Sequence, residues 1–229
     1  GADGRPRSAS QAIVAGEIDL YPEYTGSGAS FHADEKNGAW KQLGAGYQRI
    51  RQLDFDNHKL VWLSPAPANN TWAIAVRSDL AAAHKLKSLG DLGRWVAGGG
   101  QVKLAASAEF AERADALPAF QTAYGFKLTR DQLLLLAGGD TAATIKAAAQ
   151  RTSGVNAAMA YGTDGPLAAL GLVVLEDNLG VQPVYAPAAV VRAEVLTRNP
   201  RIEPLLAPLF KTLDTATLQR LNAQIALEG

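Results

Sequence analysis

The chain has 229 residues, 48% hydrophobic and 19% charged, so it is long enough for two lobes and too apolar for wholesale disorder. Lys+Arg and Asp+Glu number 22 each, for a formal net charge of zero, and no basic cluster stands out; this excludes the footprint of a nucleic-acid binder or an anchor for an anionic membrane. Cysteine is absent, which removes disulfides, thiolate metal sites and cysteine nucleophiles.

The predicted elements alternate. Ser8 to Gly16 reads as a short helix with a serine cap and a glycine stop. Glu17 to Tyr21 reads as a strand that Pro22 ends. Trp40 to Asp54 carries Leu43, Tyr47, Ile50 and Leu53 at helical spacing. Lys59 to Leu63 and Thr71 to Val76 are strands. Ser88 to Val96 is a capped helix stopped by Gly98-Gly99-Gly100, and Val102 to Ala106 is a strand. Ala108 to Tyr124 is helical around Pro118, with a break or restart there. Asp131 to Ala137 is expected to be a short helix, and Asp140 caps another that runs to Thr152. Val155 to Tyr161, Leu172 to Leu175 and Tyr185 to Val191 are strands. Ala193 to Asn199, Ile202 to Leu213 and Thr215 to Leu227 are helices. This alternation predicts an α/β fold with mostly parallel sheets.

Two stretches, Ser64-Pro65-Ala66-Pro67 and Gly180-Val181-Gln182-Pro183, read as paired crossings between lobes. The expected division is residues 1–70 for the first part of lobe 1, 71–182 for lobe 2 and 183–229 for the rest of lobe 1. Such a hinged plan suits a protein that closes on a ligand.

Five segments carry chemistry. Leu20-Tyr21-Pro22-Glu23-Tyr24-Thr25-Gly26 places Tyr24, Thr25 and Ser27 on a loop at a strand's carboxyl end, where open α/β sheets bind ligands; the plainer reading is a tyrosine-rich turn packed on the core. Asn69-Asn70-Thr71-Trp72 enters a strand after the first crossing, and Trp72 fits either a cleft or a core. Glu109 and Arg113 fit a surface i,i+4 pair, whereas Arg113 at a cleft would hold a carboxylate bidentately. Tyr161-Gly162-Thr163 and Val184-Tyr185-Ala186 again put tyrosines at a strand end and a crossing. A trimethylammonium group has no N–H to donate, so only ring faces hold it well, each contributing roughly 0.5–2 kcal/mol when desolvated. Tyr24, Trp72, Tyr161 and Tyr185 are the aromatics placed for such a cage.

These segments, with Gly138-Gly139-Asp140-Thr141-Ala142 and the closing Leu221-Asn222-Ala223-Gln224-Ile225-Ala226, resemble the osmoprotectant-binding proteins of ABC importers for glycine betaine, choline and related solutes. The similarity runs from about Gln11 to Gly229 and is strongest to the stress-inducible branch. It implies a type II-like two-lobed periplasmic binding protein fold with a hinge of two crossings and a solute cage between the lobes. The implied partners are a quaternary-ammonium solute and the permease and ATPase subunits of the importer; no cofactor, metal or nucleic acid is called for. The implied ligand-binding residues are Tyr24, Ser27, Asn70, Trp72, Arg113, Tyr161, Thr163 and Tyr185, with Arg113 on a carboxylate and the rings on the cation. Trp72 departs from the family's usual tyrosine. Family members also begin with a strand and helix ahead of the position of Ser8 and end with a further helix. Both are expected to be missing here, leaving sheet edge and apolar surface exposed in lobe 1. The opening Gly1-Ala2-Asp3-Gly4-Arg5 has no apolar signal core.

Three other readings compete for the same residues. An enzyme is disfavoured: His32, His58 and His84 lack a catalytic spacing to serine or carboxylate, and Gly26-Ser27-Gly28 is not a nucleophile elbow. A regulatory sensor would need a DNA-binding segment or an anchor that the sequence does not show. The same fold holding another amine or amino-acid-like solute is the alternative that Trp72 makes credible.

Overall fold

The computed structural model describes residues 8–228, with side chains described as far as residue 226. The stretch Gly1 to Arg5, read above for a leader, and Gly229 lie outside the described residues. In chain order the elements are α1 (Ala9–Val14), β1 (Leu20–Tyr24), α2 (Gly28–Phe31), α3 (Leu43–His58) and β2 (Leu60–Trp62). Then come β3 (Trp72–Arg77), α4 (Ser78–His84), α5 (Leu89–Ala97), β4 (Leu104–Ser107), α6 (Ala108–Glu112) and α7 (Leu117–Tyr124). They are followed by β5 (Leu133–Leu136), α8 (Thr141–Ala149), β6 (Ala157–Tyr161), α9 (Pro166–Ala169) and β7 (Leu172–Val174). The chain closes with β8 (Pro187–Arg192), α10 (Ala193–Arg198), α11 (Ile202–Thr212) and α12 (Thr215–Glu228). None of these helices is long and apolar enough to cross a membrane.

The chain forms two compact units, one of residues 1–69 and 183–214 and the other of residues 70–182 and 215–229. The expected block 183–229 is therefore divided: the chain passes between units a third time, after Asp214. Side-chain amides on α12 explain the correction. Gln219 Nε2 donates to Gly162 O at 2.8 Å and Asn222 Nδ2 donates to Thr163 O at 2.9 Å, so the helix is tied to the second unit.

The first unit's sheet has the order β1-β8-β2 and is antiparallel throughout. β1 does not stop at Tyr21 as expected but runs through Pro22 to Tyr24. The reason lies in the ladder. Arg192 N–H donates to Asp19 O, and Thr25 N–H donates to Ala186 O, so the bonding pairs fall on the odd-numbered residues of β1. Pro22 therefore needs no N–H toward β8, and its nitrogen lies on the open edge, where proline is tolerated. Central β8 is buried along Ala188, Ala189, Val190 and Val191. The core beside it holds Ile13, Trp40, Ile50 and Trp62. Both indoles are satisfied: Trp40 Nε1 donates to Asp34 O at 2.8 Å and Trp62 Nε1 to Asp54 Oδ2 at 2.6 Å. Asp54 Oδ1 takes His32 Nε2 at 2.6 Å, so this histidine–carboxylate pair braces the core. At the chain's start Ser8 and Gln11 form a reciprocal capping box on α1.

The second unit's sheet has the order β5-β4-β6-β3-β7. β4 runs parallel to β5 and β6, while β3 runs antiparallel to β6 and β7. The expectation of mostly parallel sheets is thus corrected. Strand–helix alternation keeps successive strands parallel within a unit. The strands that follow the first two crossings, β3 and β8, enter from the other unit and run against their neighbours. The sheet buries both faces. Ile74 and Val76 join a core with Phe110, Leu117 and Phe120, and Ala75 joins another with Ile145 and Ala158.

Two further helix expectations change. Asp131 to Ala137 contains a strand, Leu133–Leu136, parallel to β4; an apolar leucine run fits a helix or a strand by pattern alone. The helix around Pro118 is two helices, and Pro118 sits in the first turn of α7, where its missing N–H costs no helical bond.

Gly165 lies against α12, and a Cβ there would land on the backbone of Asn222 and Ala223. Gly165→Ala should cost at least about 1–3 kcal/mol through overpacking and lower the melting temperature measured by circular dichroism. Thr71 Oγ1 is buried and has no hydrogen-bond partner among the described residues. Thr71→Val, which keeps the shape and removes the unmet polar atom, should leave the melting temperature unchanged or raise it, since such a group costs about 1–3 kcal/mol.

Candidate functional site

In the first unit the motif residues gather around Thr25, which is buried at 1% exposure. Its hydroxyl donates to Val184 O at 3.0 Å and accepts from Ala186 N–H at 3.1 Å. This rivet pins the end of β1 to the segment entering β8. Gly26 then lies so close to Tyr185 that a Cβ on it would sit 2.8 Å from the ring. Asn69 Oδ1 accepts from Tyr185 N–H at 2.8 Å and holds that residue from the other side. Tyr24 and Tyr185 are half-buried, whereas Tyr21 is buried in the core, where desolvation raises its hydroxyl pKa. The Glu23 carboxylate sits among these groups and accepts from Tyr24 N–H at 2.7 Å and from Ser27 Oγ at 2.9 Å.

In the second unit the β3–β6 register places Trp72 directly opposite Tyr161. Across an antiparallel pair such partners are neighbours on one sheet face. Phe110 and Trp72 meet edge to face, with 5.7 Å between centroids and an interplanar angle of 85°. The Arg113 guanidinium lies 4.8 Å from the Trp72 ring centroid, within cation–π range. Thr163, itself buried, donates its hydroxyl to Asn70 Oδ1 at 2.6 Å, linking the two motifs on adjacent strands. Asp164 Oδ2 accepts from Tyr161 N–H at 2.7 Å; burial raises the pKa of this carboxyl, and that hydrogen bond opposes the shift.

Arg113 is heavily engaged. Its Nε and Nη2 donate to the two oxygens of Asp115 at 2.7 and 2.9 Å, and Nη1 donates to Glu109 at 3.0 Å. The Asp115 bonds, and then Glu109, push the guanidinium pKa up against the burial that lowers it. Arg113 in turn holds the Asp115 carboxyl below its usual range.

The structure thus gathers Asn70, Trp72, Arg113, Tyr161 and Thr163 in the second unit, and Tyr24, Ser27 and Tyr185 in the first. It also shows participants that the sequence did not single out. Asp115 is one: residues two apart do not face each other on a helix, but α6 ends at Glu112 and Arg113 is extended at φ −67°, ψ 127°. Glu23 is another, and Gln219 and Asn222, three apart on α12, are readable as a pair only once the helix is placed. A cavity of about 570 Å3 in the first unit is lined by Tyr21, Phe31, His32, Asp54, His58 and Leu60, among others, but by none of the predicted contacts. Within that unit, chemistry and not concavity selects the motif residues.

Comparison with known proteins agrees in direction. Residues 3–229 match the family model described as the substrate binding domain of ABC-type glycine betaine transport systems. The glycine betaine-binding protein YehZ of Escherichia coli is 65% identical over 218 residues, which cover 95% of this chain and 72% of that protein. A glycine-betaine-binding protein of Pseudomonas aeruginosa is 36% identical, covering 95% of this chain and 69% of that protein. The solved structure of apo YehZ from Escherichia coli superposes with a TM-score of 0.89 at 64% identity, covering 96% of this chain and 78% of that one. A structure of a glycine betaine/carnitine/choline ABC transporter protein shares the fold at a TM-score of 0.82 and 22% identity, covering 96% and 77%. The chain belongs to the family of substrate-binding domains of ABC-type glycine betaine transport systems.

Proposed function

We propose that this protein captures a quaternary-ammonium osmoprotectant, glycine betaine or choline, in the periplasm and hands it to the permease and ATPase subunits of an ABC importer. The observation that carries the reading is the Trp72–Tyr161 pair, set opposite each other by the β3–β6 register, with a cation already resting on the Trp72 ring. The Trp72 ring face lies within cation–π range of a positive group, and a trimethylammonium group calls for such a ring face because it has no proton to donate. Tyr161 supplies a second ring beside it, and Arg113 supplies planar donors for a carboxylate. Asn70 and Thr163 hold the supporting loop. In the first unit Tyr24 and Tyr185 are proposed as further ring contacts and Ser27 as a polar one. Their support is their place in the Thr25-riveted motif and their partial exposure.

The chemistry here is recognition. The half-buried rings reduce the water competing for the cation, and the fixed strand ends hold them in position before a ligand arrives, which lowers the ordering cost of binding. A carboxylate-bearing solute would need Arg113 to exchange partners, whereas a carboxylate-free amine would not.

Isothermal calorimetry against glycine betaine, choline, carnitine and proline betaine tests the proposal. At least one should bind with a dissociation constant below the millimolar range, and failure of all four overturns it. Tyr161→Ala should weaken binding of the cationic ligand by about 1–2 kcal/mol. A tyrosine used only for packing would lower the melting temperature and leave affinity unchanged.

A further inference from the structure

The Arg113–Asp115 pair has the form of a ligand complex. Asp115 meets the guanidinium edge-on, with two nearly equal hydrogen bonds of 2.7 and 2.9 Å through Nε and Nη2. This fork-to-fork geometry is the one in which arginine recognises a free carboxylate. The remaining nitrogen, Nη1, is taken by Glu109 at 3.0 Å. The pairing also parks the guanidinium over Trp72. The serine and threonine hydroxyls in the proposed contact set are spent as well, Ser27 on Glu23 and Thr163 on Asn70.

We propose that Asp115 is a specificity-determining residue that acts through Arg113 as a built-in surrogate for the ligand's carboxylate, setting the preference between betaines and carboxylate-free quaternary amines. The proposal rests on the ligand class given above. A betaine must displace Asp115 to gain its own bidentate bond, so the two carboxylates compete and the net gain is small. Choline brings no carboxylate and meets no such competition; for it, the Asp115 charge is a mild attraction. The exchange is feasible because the pair is not locked away. The side chains of Arg113 and Asp115 are 51% and 65% exposed, and exposed ion pairs are held weakly. The main-chain oxygen of Asp115 accepts from Gln182 Nε2 at 2.6 Å, a bond that any side-chain substitution keeps, so the loop stays anchored when the carboxylate is removed.

The test is calorimetry with glycine betaine and choline on the native protein, on Asp115→Asn and on Glu109→Gln. Asp115→Asn should raise the betaine-to-choline affinity ratio by about tenfold, with betaine binding more tightly and choline the same or more weakly. Glu109→Gln removes the same charge from the same guanidinium but keeps an amide oxygen for its single bond, whereas Asp115→Asn turns one of two acceptor oxygens into a donor and breaks the fork; Glu109→Gln should therefore change the ratio by less than about threefold. Equal shifts for both ligands in Asp115→Asn, or the same ratio change in both variants, would mean that Asp115 acts through net charge or packing and would overturn the proposal. Binding of neither ligand by any of the three proteins would instead overturn the quaternary-ammonium reading, and this inference with it.

Discussion

Trp72 faces Tyr161 because β3 lies against β6 in one register, with Ala73 opposite Ala160, Ile74 opposite Met159 and Ala75 opposite Ala158. Each of those residues is buried. A slip of one residue would turn Ile74 and Val76 out of one core and Ala75 into it, on a sheet packed on both faces. Alternation along both strands sorts the faces: Ile74, Val76, Ala157 and Met159 share one core, and Ala75, Ala158 and Ala160 share the other. The aromatic pair is therefore a consequence of core packing, since it stands at the end of the ladder that the core enforces. The Asn70–Thr163 bond continues the same alignment past the strand ends.

The first unit solves the corresponding problem differently. Its sheet is short, and β1 has an open edge through Pro22. Position at the end of β1 is set less by strand pairing than by Thr25, which both donates to and accepts from the segment entering β8. A glycine follows because the backbone there approaches the Tyr185 ring too closely for a side chain. Thr25 and Gly26 are thus the supports of the motif, and Tyr24 and Ser27 are what they support.

Electrostatics in the second unit are local. The chain has no formal net charge, and Arg113 is balanced by two carboxylates close to it in sequence, Glu109 on α6 and Asp115 beyond it. Long-range steering by net charge has little to work with. In the proposed site, selectivity would then come from short-range contacts: ring faces, one planar guanidinium, and the carboxylates proposed to compete for it.

Much of this was legible in the sequence. Capping serines, glycine stops and aromatic positions are local signals, written in consecutive residues, and the motifs around Tyr24, Trp72 and Tyr161 carry the family resemblance together with Gly138–Ala142 and the closing Leu221–Ala226 segment. The alternation of strand and helix yielded the class of fold. It could not yield strand direction, because β3 and β8 enter from the other unit and nothing local records that. Nor could it separate helix from strand in Leu133–Leu136, whose extended form comes with its pairing to β4. The placement of α12 depended on amides that meet carbonyls about sixty residues earlier in the chain. The partner of Arg113 depended on where α6 stops. Residue types and local geometry determined what this protein has available to bind with. Only the tertiary structure decided which of those groups are already spoken for, because hydrogen-bond partners are chosen by proximity in space and not by order along the chain.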